Sequence, residues 1–409
     1  MNADGNDSSW WRLRLSDAHM RFQPVILVAT AALSLCQIAT AQGGPKPEDA
    51  TAAVLHAFET HDIVMFGEIH GNKQEYEWLR SLVSTPEFAD RVDDIVMEFG
   101  NSLYQKSVDR YIAGEDVPIE QVQKAWRNTV ASIGPPSPVT GLLYQAVRET
   151  NLKRLGKHQM RVLCGDPYID WNLVKTGGDI APYLGNRDQW YTQVVKDEVL
   201  AKHHRALLIM GAGHFRRGRG PRYVEPQLQQ AGAKTYLILF GTNVVGGYDD
   251  LDHRFDSWPT PAIVSLAGSW VGDLPAMPVI SGGELNSIIF FGPGPGPAGA
   301  PPGAPSEPLK LKDAADALLY LGPRDSLTEV NMPRAELEGT PYGKEIERRL
   351  QIEGFPAALL ADKAEAPQFS RPQPGQLLPI PGPAGGPQPR PSPPKNVGAP
   401  PLPPRPPSQ

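Results

Sequence analysis

Ile63-Val64-Met65-Phe66-Gly67-Glu68-Ile69-His70 and Ala206-Leu207-Leu208-Ile209-Met210-Gly211-Ala212-Gly213-His214 are the two stretches of sequence that decide the fold. Each is a short apolar run followed directly by Gly-x-x-His. Apolar runs of this length are typical of buried strands, and open α/β folds bind their ligands at the carboxyl ends of such strands. Both histidines are therefore predicted to lie at the same edge of one sheet.

Further apolar runs extend this pattern along the chain. They occur at residues 95–97, 160–164 and 235–240, with helical patterns between them, and later at 262–266, 286–291 and 317–321. Strands that alternate with helices indicate a parallel sheet, and strands without polar alternation indicate helices on both faces. The predicted fold is α/β, with a mostly parallel sheet covered by helices on both faces. A helical insertion at about 102–155 is expected over the carboxyl edge of the sheet.

The helix after the first motif has a clear start. Asn72 is a suitable N-cap, and Glu75 follows three residues later as the expected partner in a capping box. This helix is predicted to begin beside the first histidine.

The chain divides into three parts by composition. Residues 1–41 contain a basic start, an apolar run and a small-residue exit, which predict an N-terminal extension and a secretory signal peptide. Residues 45–365 are predicted to form the α/β domain, with a Pro/Gly-rich loop at 292–308. Residues 366–409 are Pro-rich and predicted to be disordered. Their Pro-x-x-Pro spacings suit a partner domain with an aromatic groove, although a spacer is the simpler interpretation.

The signal predicts export to the periplasm or the extracellular space. Its apolar run is too short for a transmembrane helix, so no span is expected once the signal is removed. Cys36 offers lipoprotein anchoring as an alternative, but Leu35 stands where a small residue is expected. Cleavage would leave Cys164, and hence no internal disulfide. The net charge of −6 argues against binding of a nucleic acid, because a protein that binds one needs a strongly basic face.

Five ionisable side chains follow the predicted strands. Glu68 and His70 follow the first, Glu98 ends the second, Asp166 follows the third and His214 the fourth. Asp166 precedes a proline and is interpreted as a turn or cap residue. Glu98 lies among apolar residues and needs a partner, because an unpaired buried charge is costly. That partner is expected to be one of the histidines, Arg216 or a metal ion.

Two chemistries suit two imidazoles and two carboxylates. The imidazole nitrogens and carboxylate oxygens of these side chains could bind a divalent Mn, Zn, Co or Fe ion, which would activate water. Without a metal, His70 oriented by Glu68 or Glu98 would act as general base, and His214 or an arginine would stabilise the oxyanion. Both routes lead to hydrolysis, with Glu68, His70, Glu98 and His214 as candidate catalytic residues.

A basic loop follows the second histidine. Arg216 and Arg217 are its first arginines, and guanidinium groups suit carboxylates and phosphates. These two residues are candidate ligands for an anionic substrate group or a haem propionate, with a solvated charge run as the alternative.

These residues resemble the superfamily of ChaN-like haem-uptake lipoproteins, Tiki and TraB proteases and erythromycin esterase-like hydrolases, whose signature is paired GxxH motifs with an intervening glutamate. Gly67-Glu68-Ile69-His70, Ile95-Val96-Met97-Glu98 and Gly211-Ala212-Gly213-His214 carry the resemblance, and residues 316–323 are similar to the closing strand of the esterases. The spacing of Glu68 and His70 departs from that of the esterases, which argues against macrolide substrates.

The resemblance implies two different functions. Its Tiki side implies a divalent metal at His70, His214 and Glu98 and hydrolysis of a peptide bond. Its ChaN side implies haem binding without catalysis, for which Tyr104 and Tyr111 are possible ligands. We therefore expect an exported hydrolase-like protein that acts on an ester or peptide substrate, and we keep a haem or iron-compound binding protein as the alternative. The expected ligand is a small molecule, a peptide or haem. The third interpretation is that the α/β domain has lost its activity and serves as a scaffold, while the Pro-rich tail carries the function.

Overall fold

The computed structural model describes residue 44 and residues 46–130, 137–217, 220–240, 254–255, 257–274, 310–323 and 326–355. The predicted signal, the loop at 292–308, the strand at 286–291 and the Pro-rich tail lie outside these residues, and the domain boundaries stay predictions. Among the described residues, no helix combines the length and apolar composition that crossing a bilayer requires.

The described strands form one eight-stranded, mixed sheet with the order β1-β7-β8-β6-β2-β5-β3-β4. The six strands from β8 to β4 pair in parallel, whereas β7 is antiparallel to both β8 and β1. The prediction of an α/β fold with a mostly parallel sheet is therefore confirmed. The strands are β1 (Glu48–Asp49), β2 (Ile63–Glu68), β3 (Asp94–Asn101), β4 (Arg161–Asp166), β5 (Ala206–Gly211), β6 (Thr235–Phe240), β7 (Ala262–Ser265) and β8 (Ala317–Tyr320).

Twelve α-helices occur in the described part of the chain. They are α1 (Ala50–Ala57), α2 (Lys73–Val83), α3 (Pro86–Arg91), α4 (Gln105–Ile112), α5 (Ile119–Arg127), α6 (Pro138–Lys153), α7 (Gly177–Gly185), α8 (Arg187–Glu198), α9 (Val224–Gln230), α10 (Leu311–Ala314), α11 (Arg334–Leu337) and α12 (Pro341–Glu353). Helices α4, α5 and α6 lie between β3 and β4, where the insertion is predicted. Its position over the carboxyl edge stays a prediction.

Alternate residues of β2 belong to two separate apolar clusters. Val64 and Phe66 pack in a cluster that includes residues of α2 and α6. Ile63 and Met65 pack in a second cluster that includes residues of α8 and α9. Successive side chains of a strand point to opposite faces, so both sets of strand positions are removed from water. This explains why the strand sequence is apolar throughout.

Asn72 caps the start of α2 as predicted, but the prediction that Glu75 completes a capping box is wrong. The side chain of Asn72 accepts a 2.9 Å hydrogen bond from the backbone N–H of Glu75. The Glu75 carboxylate does not return this bond, because it accepts instead from the backbone N–H of Ile69 at 3.0 Å. Glu75 thereby fixes the turn that carries His70.

Strand β3 carries an irregularity at the point where Glu98 lies. Met97 is level with Cys164 on β4, and the next paired residues are Asn101 and Asp166. Four positions on β3 thus span two positions on β4, which is a bulge-like irregularity in the pairing. Bulges redirect side chains and are frequent beside functional sites.

Candidate functional site

The strand order brings the ends of three strands together. Strand β5 lies between β2 and β3, and Glu68 at the end of β2 is level with Gly211 at the end of β5. His70 follows β2 by two residues, and His214 ends the 3₁₀ turn Ala212–His214 that follows β5. The two predicted histidines therefore approach Glu98 from two sides.

Glu98 is the centre of the site and contacts four groups. Its Oε2 accepts a 2.6 Å hydrogen bond from the backbone N–H of Gly211, and the Nε2 atom of His70 lies 3.8 Å from the same oxygen. Its Oε1 accepts from Nη2 of Arg187 at 3.1 Å and lies 3.3 Å from Nε2 of His214. The two imidazoles thus face different oxygens of one buried carboxylate.

These contacts keep Glu98 ionised. Burial alone would raise the pKa of its carboxyl group, but the positive charges of His214, His70 and Arg187 outweigh burial and hold the pKa well below its usual value. Glu98 therefore provides a permanent negative charge at neutral pH, which suits a metal ligand or an orienting group better than a proton donor.

His70 is held by Glu68. Its Nδ1 atom donates a 2.9 Å hydrogen bond to Oε1 of Glu68, whose Oε2 accepts from the hydroxyl of Tyr76 at 2.6 Å. The ring of Phe99 meets the imidazole edge-on at 4.8 Å. Burial lowers the pKa of His70, but the charges of Glu98 and Glu68 together raise it above its usual value. The hydrogen bond to Glu68 fixes Nδ1 of His70, and Nε2 of the same ring faces Glu98.

His214 is held in the same manner by a different carboxylate. Its Nδ1 atom donates to Oδ1 of Asp188, and its ring meets the Tyr191 ring edge-on at 5.1 Å. Burial opposes the charge on His214, but Glu98 and Asp188 outweigh it and raise its pKa to about 9. His214 is therefore protonated at neutral pH in the metal-free protein.

The strand-end pattern does not reveal the principal cation of the site. Arg187, the first residue of α8, donates through Nε to Asp166 at 3.0 Å and through Nη2 to Glu98. Asp166 is fully buried and also accepts from the Tyr191 hydroxyl at 2.8 Å and from the backbone N–H of Val130. Its interpretation as a simple turn or cap residue is therefore wrong.

One group of side chains among the described residues suits a metal ion. Glu68, His70 and Glu98 each offer a ligand atom, and these atoms all lie within 4.8 Å of one another. Carboxylate oxygens with one imidazole nitrogen are donors that Mn, Fe, Co and Zn accept, so the residues present fit such an ion. His214 contacts Glu98 but is not part of this group, and its role as a metal ligand stays a prediction.

Gly211 leaves the space between His70 and Glu98 open. A Cβ atom at this position would lie 3.0 Å from Nε2 of His70 and 3.3 Å from Oε2 of Glu98. Both contacts are tighter than ordinary van der Waals separations, so the close approach of the two side chains requires glycine here.

The two arginines after His214 have partners within the protein. Arg217 donates to both oxygens of Glu225 at 3.0 and 3.1 Å and to Asp316 at 2.9 Å. The guanidinium of Arg216 lies over the Tyr223 ring at 5.6 Å from its centroid. The guanidinium of Arg217 thus already binds two carboxylates. The binding of an anion by either residue stays a prediction.

The two tyrosines named as possible haem ligands have contacts in the helical insertion. The Tyr104 hydroxyl accepts from Nδ2 of Asn128 at 3.1 Å, and the guanidinium of Arg148 lies over the Tyr111 ring at 4.7 Å. Neither contact tests haem binding, so the role of Tyr104 and Tyr111 as haem ligands stays a prediction.

No family model matches the sequence, and no curated protein matches it. A protein from Bacillus cereus has a similar structure, with 11% identity, a TM-score of 0.41 and coverage of 69% of this chain and 95% of that one. The type III effector HopBA1 is 14% identical, with a TM-score of 0.33 and coverage of 50% of this chain and 88% of that one. ChaN of Campylobacter jejuni, whose structure describes cofacial haem binding, is 11% identical, with a TM-score of 0.27 and coverage of 48% of this chain and 87% of that one. Similarity at this level shows neither a family nor an activity for this chain.

Proposed function

We propose that this chain is a hydrolase that activates water beside Glu98, with a divalent ion held by Glu68, His70 and Glu98. The observation that carries the proposal is that His70 and His214 present Nε2 to the two oxygens of one ionised carboxylate. A site with a fixed negative charge, an oriented imidazole and a protonated imidazole has the components that hydrolysis needs.

Each residue has a distinct task in this proposal. The ion, when bound, supplies a water of lowered pKa and a Lewis acid for a carbonyl oxygen. Glu68 orients His70 through Nδ1 so that Nε2 faces the site. Glu98 compensates positive charge, and His214 gives its proton to the leaving group as the scissile bond breaks. Without the ion, Nε2 of His70 is the group that takes the proton of the attacking water.

The proposed substrate is an ester or a peptide. This class follows from the resemblance of the GxxH motifs to the Tiki side of the superfamily and from the proton donor placed opposite His70. The proposal includes export of the chain, as residues 20–41 predict. It also includes a covering role for α4, α5 and α6 at the carboxyl edge.

Metal analysis and hydrolysis assays on the purified full chain test the proposal. We expect one divalent ion per chain and metal-dependent hydrolysis of at least one member of an ester and peptide panel. His70→Ala and Glu98→Gln should lose both ion and activity. His56→Ala and Glu77→Gln are matched controls, because these side chains are 77% and 57% exposed, and both should behave as the unchanged protein.

A haem titration followed in the Soret band distinguishes the alternative function. Tight haem binding together with no hydrolysis of the panel would replace the hydrolase by a haem-binding protein. Hydrolysis that persists after a chelator has removed the metal would support the hydrolase function, but it would show that His70 activates the water without an ion.

A further inference from the structure

We propose that Asp188 is a positioning residue that holds the imidazole of His214 in its working orientation. This inference deepens the proposed function and rests on it. Asp188 is the second residue of α8, and the strand-end pattern of the sequence gives no indication of it.

The first argument is the geometry at the two ring nitrogens. Nδ1 of His214 donates to Oδ1 of Asp188, and Nε2 lies 3.3 Å from Oε1 of Glu98. A ring that donates through Nδ1 to a carboxylate can turn only by breaking that bond, so Nε2 stays directed at the site. The ring of Tyr191 packs edge-on against the imidazole at 5.1 Å.

The second argument is that the same arrangement occurs at His70. Glu68 accepts from Nδ1 of His70 at 2.9 Å, and Nε2 of that ring faces the other oxygen of Glu98. Two imidazoles that follow different strands thus each use Nδ1 for a carboxylate of their own and Nε2 for Glu98. This repetition indicates that orientation of both rings matters to the site.

The third argument is the position of Asp188 next to Arg187. Arg187 holds Glu98, and Asp188 holds His214, so one end of α8 sets both partners of the 3.3 Å contact. Removal of Asp188 leaves His214, which is 12% exposed and keeps its contact with Glu98, whereas removal of Arg187 leaves Glu98 and Asp166 at 1% and 0% exposed. We therefore expect the Asp188 variants to keep the fold.

Asp188→Ala, Asp188→Glu and the control Asp197→Asn should be compared in the full chain. Asp197 is an exposed acidic residue on the same helix. We expect Asp188→Ala to lower kcat about 10-fold to 100-fold, the usual loss for an outer partner of a functional histidine, with KM changed much less. Asp188→Glu should recover part of kcat, and Asp197→Asn should leave it unchanged.

Proton NMR provides a measurement that does not depend on activity. The Nδ1 proton of His214, held by a carboxylate, should resonate far downfield of the amides, and this signal should disappear in both Asp188→Ala and His214→Gln. A signal that survives in Asp188→Ala, or a loss of kcat that Asp188→Glu does not relieve, would overturn the inference. If the unchanged chain hydrolyses nothing, the proposed function fails, while the resonance still reports whether Asp188 holds His214.

Discussion

The backbone N–H of Gly211 donates a 2.6 Å hydrogen bond to Oε2 of Glu98, although 113 positions separate the two residues. The bond is possible because β5 lies between β2 and β3 and ends level with the bulge in β3. The same glycine leaves room for His70, so one backbone position brings together two of the predicted site residues.

Gly211→Ala should separate His70 from Glu98. The added Cβ would approach both Nε2 of His70 and Oε2 of Glu98 within 3.3 Å, and the partly exposed imidazole is the group free to move. We expect loss of bound metal and of hydrolysis, with a cost of about 1 to 3 kcal/mol in the free energy of unfolding. Metal analysis and urea unfolding measure both quantities.

Gly178→Ala is the matched control for this change. The nearest atom to a Cβ at position 178 is 3.5 Å away, an ordinary contact, and the residue lies in the first turn of α7. It should leave metal and activity unaltered. Full metal occupancy in Gly211→Ala would show that the separation of His70 and Glu98 does not control ion binding.

Arg187→Ala should destabilise the fold strongly. The change leaves Glu98 and Asp166, which are 1% and 0% exposed, without the cation that compensates both. Breaking a buried ion pair by removal of one partner costs roughly 3 to 5 kcal/mol. Urea unfolding of the variant measures this cost. Arg110→Ala, which removes a guanidinium that is 49% exposed, should stay within about 0.5 kcal/mol of the unchanged chain. A comparable loss in the two variants would mean that burial does not set the cost.

The sequence predicts those parts of the site that follow strand ends. Each apolar run is short and buried, so its end marks the sheet edge, and His70, Glu98 and His214 meet there in the structure. The strand order is not contained in any local pattern. That β5 lies between β2 and β3 depends on pairing between residues far apart in the chain.

The contributions of α8 could not be predicted from the same pattern. Arg187 and Asp188 begin a helix, where arginine and aspartate are ordinary solvated residues, and their burial depends on how α8 packs beside β4. Asp166, which closely follows an apolar run, is the signal that the sequence offers, since a buried carboxylate requires a cation. A turn residue needs no cation, so the interpretation of Asp166 as a turn residue does not point to Arg187.

The Cys164 thiol should be unreactive in the folded protein. It is 1% exposed, and burial, followed by the charges of Asp109 and Asp166, raises its pKa far above the ordinary value. In a Cys36→Ser background, a thiol reagent at mildly alkaline pH should label the chain only after denaturant is added. Rapid labelling of the native chain would place Cys164 at the surface and contradict the packing of β4.

The charge on His214 should make the stability of the metal-free protein depend on alkaline pH. The folded-state pKa is raised from 6.5 to about 9, so the stabilisation is fully present below 6.5 and is lost as the pH rises through 9. The groups that face the ring are Glu98 and Asp188, and Glu98 also contacts Arg187 and His70. Glu98 remains ionised throughout this range because its pKa is held well below the usual value.

The effect of His214 is isolated by comparing the unchanged chain with His214→Gln after treatment with a chelator. Urea unfolding at a series of pH values gives the difference in the free energy of unfolding between the two proteins. This difference should be largest at about pH 6 and should shrink steadily as the pH rises through 9, because the unchanged protein loses the proton that Glu98 and Asp188 stabilise. A difference that stays constant across this interval would show that His214 is already neutral in the fold, and it would then be unable to give a proton to a leaving group at neutral pH.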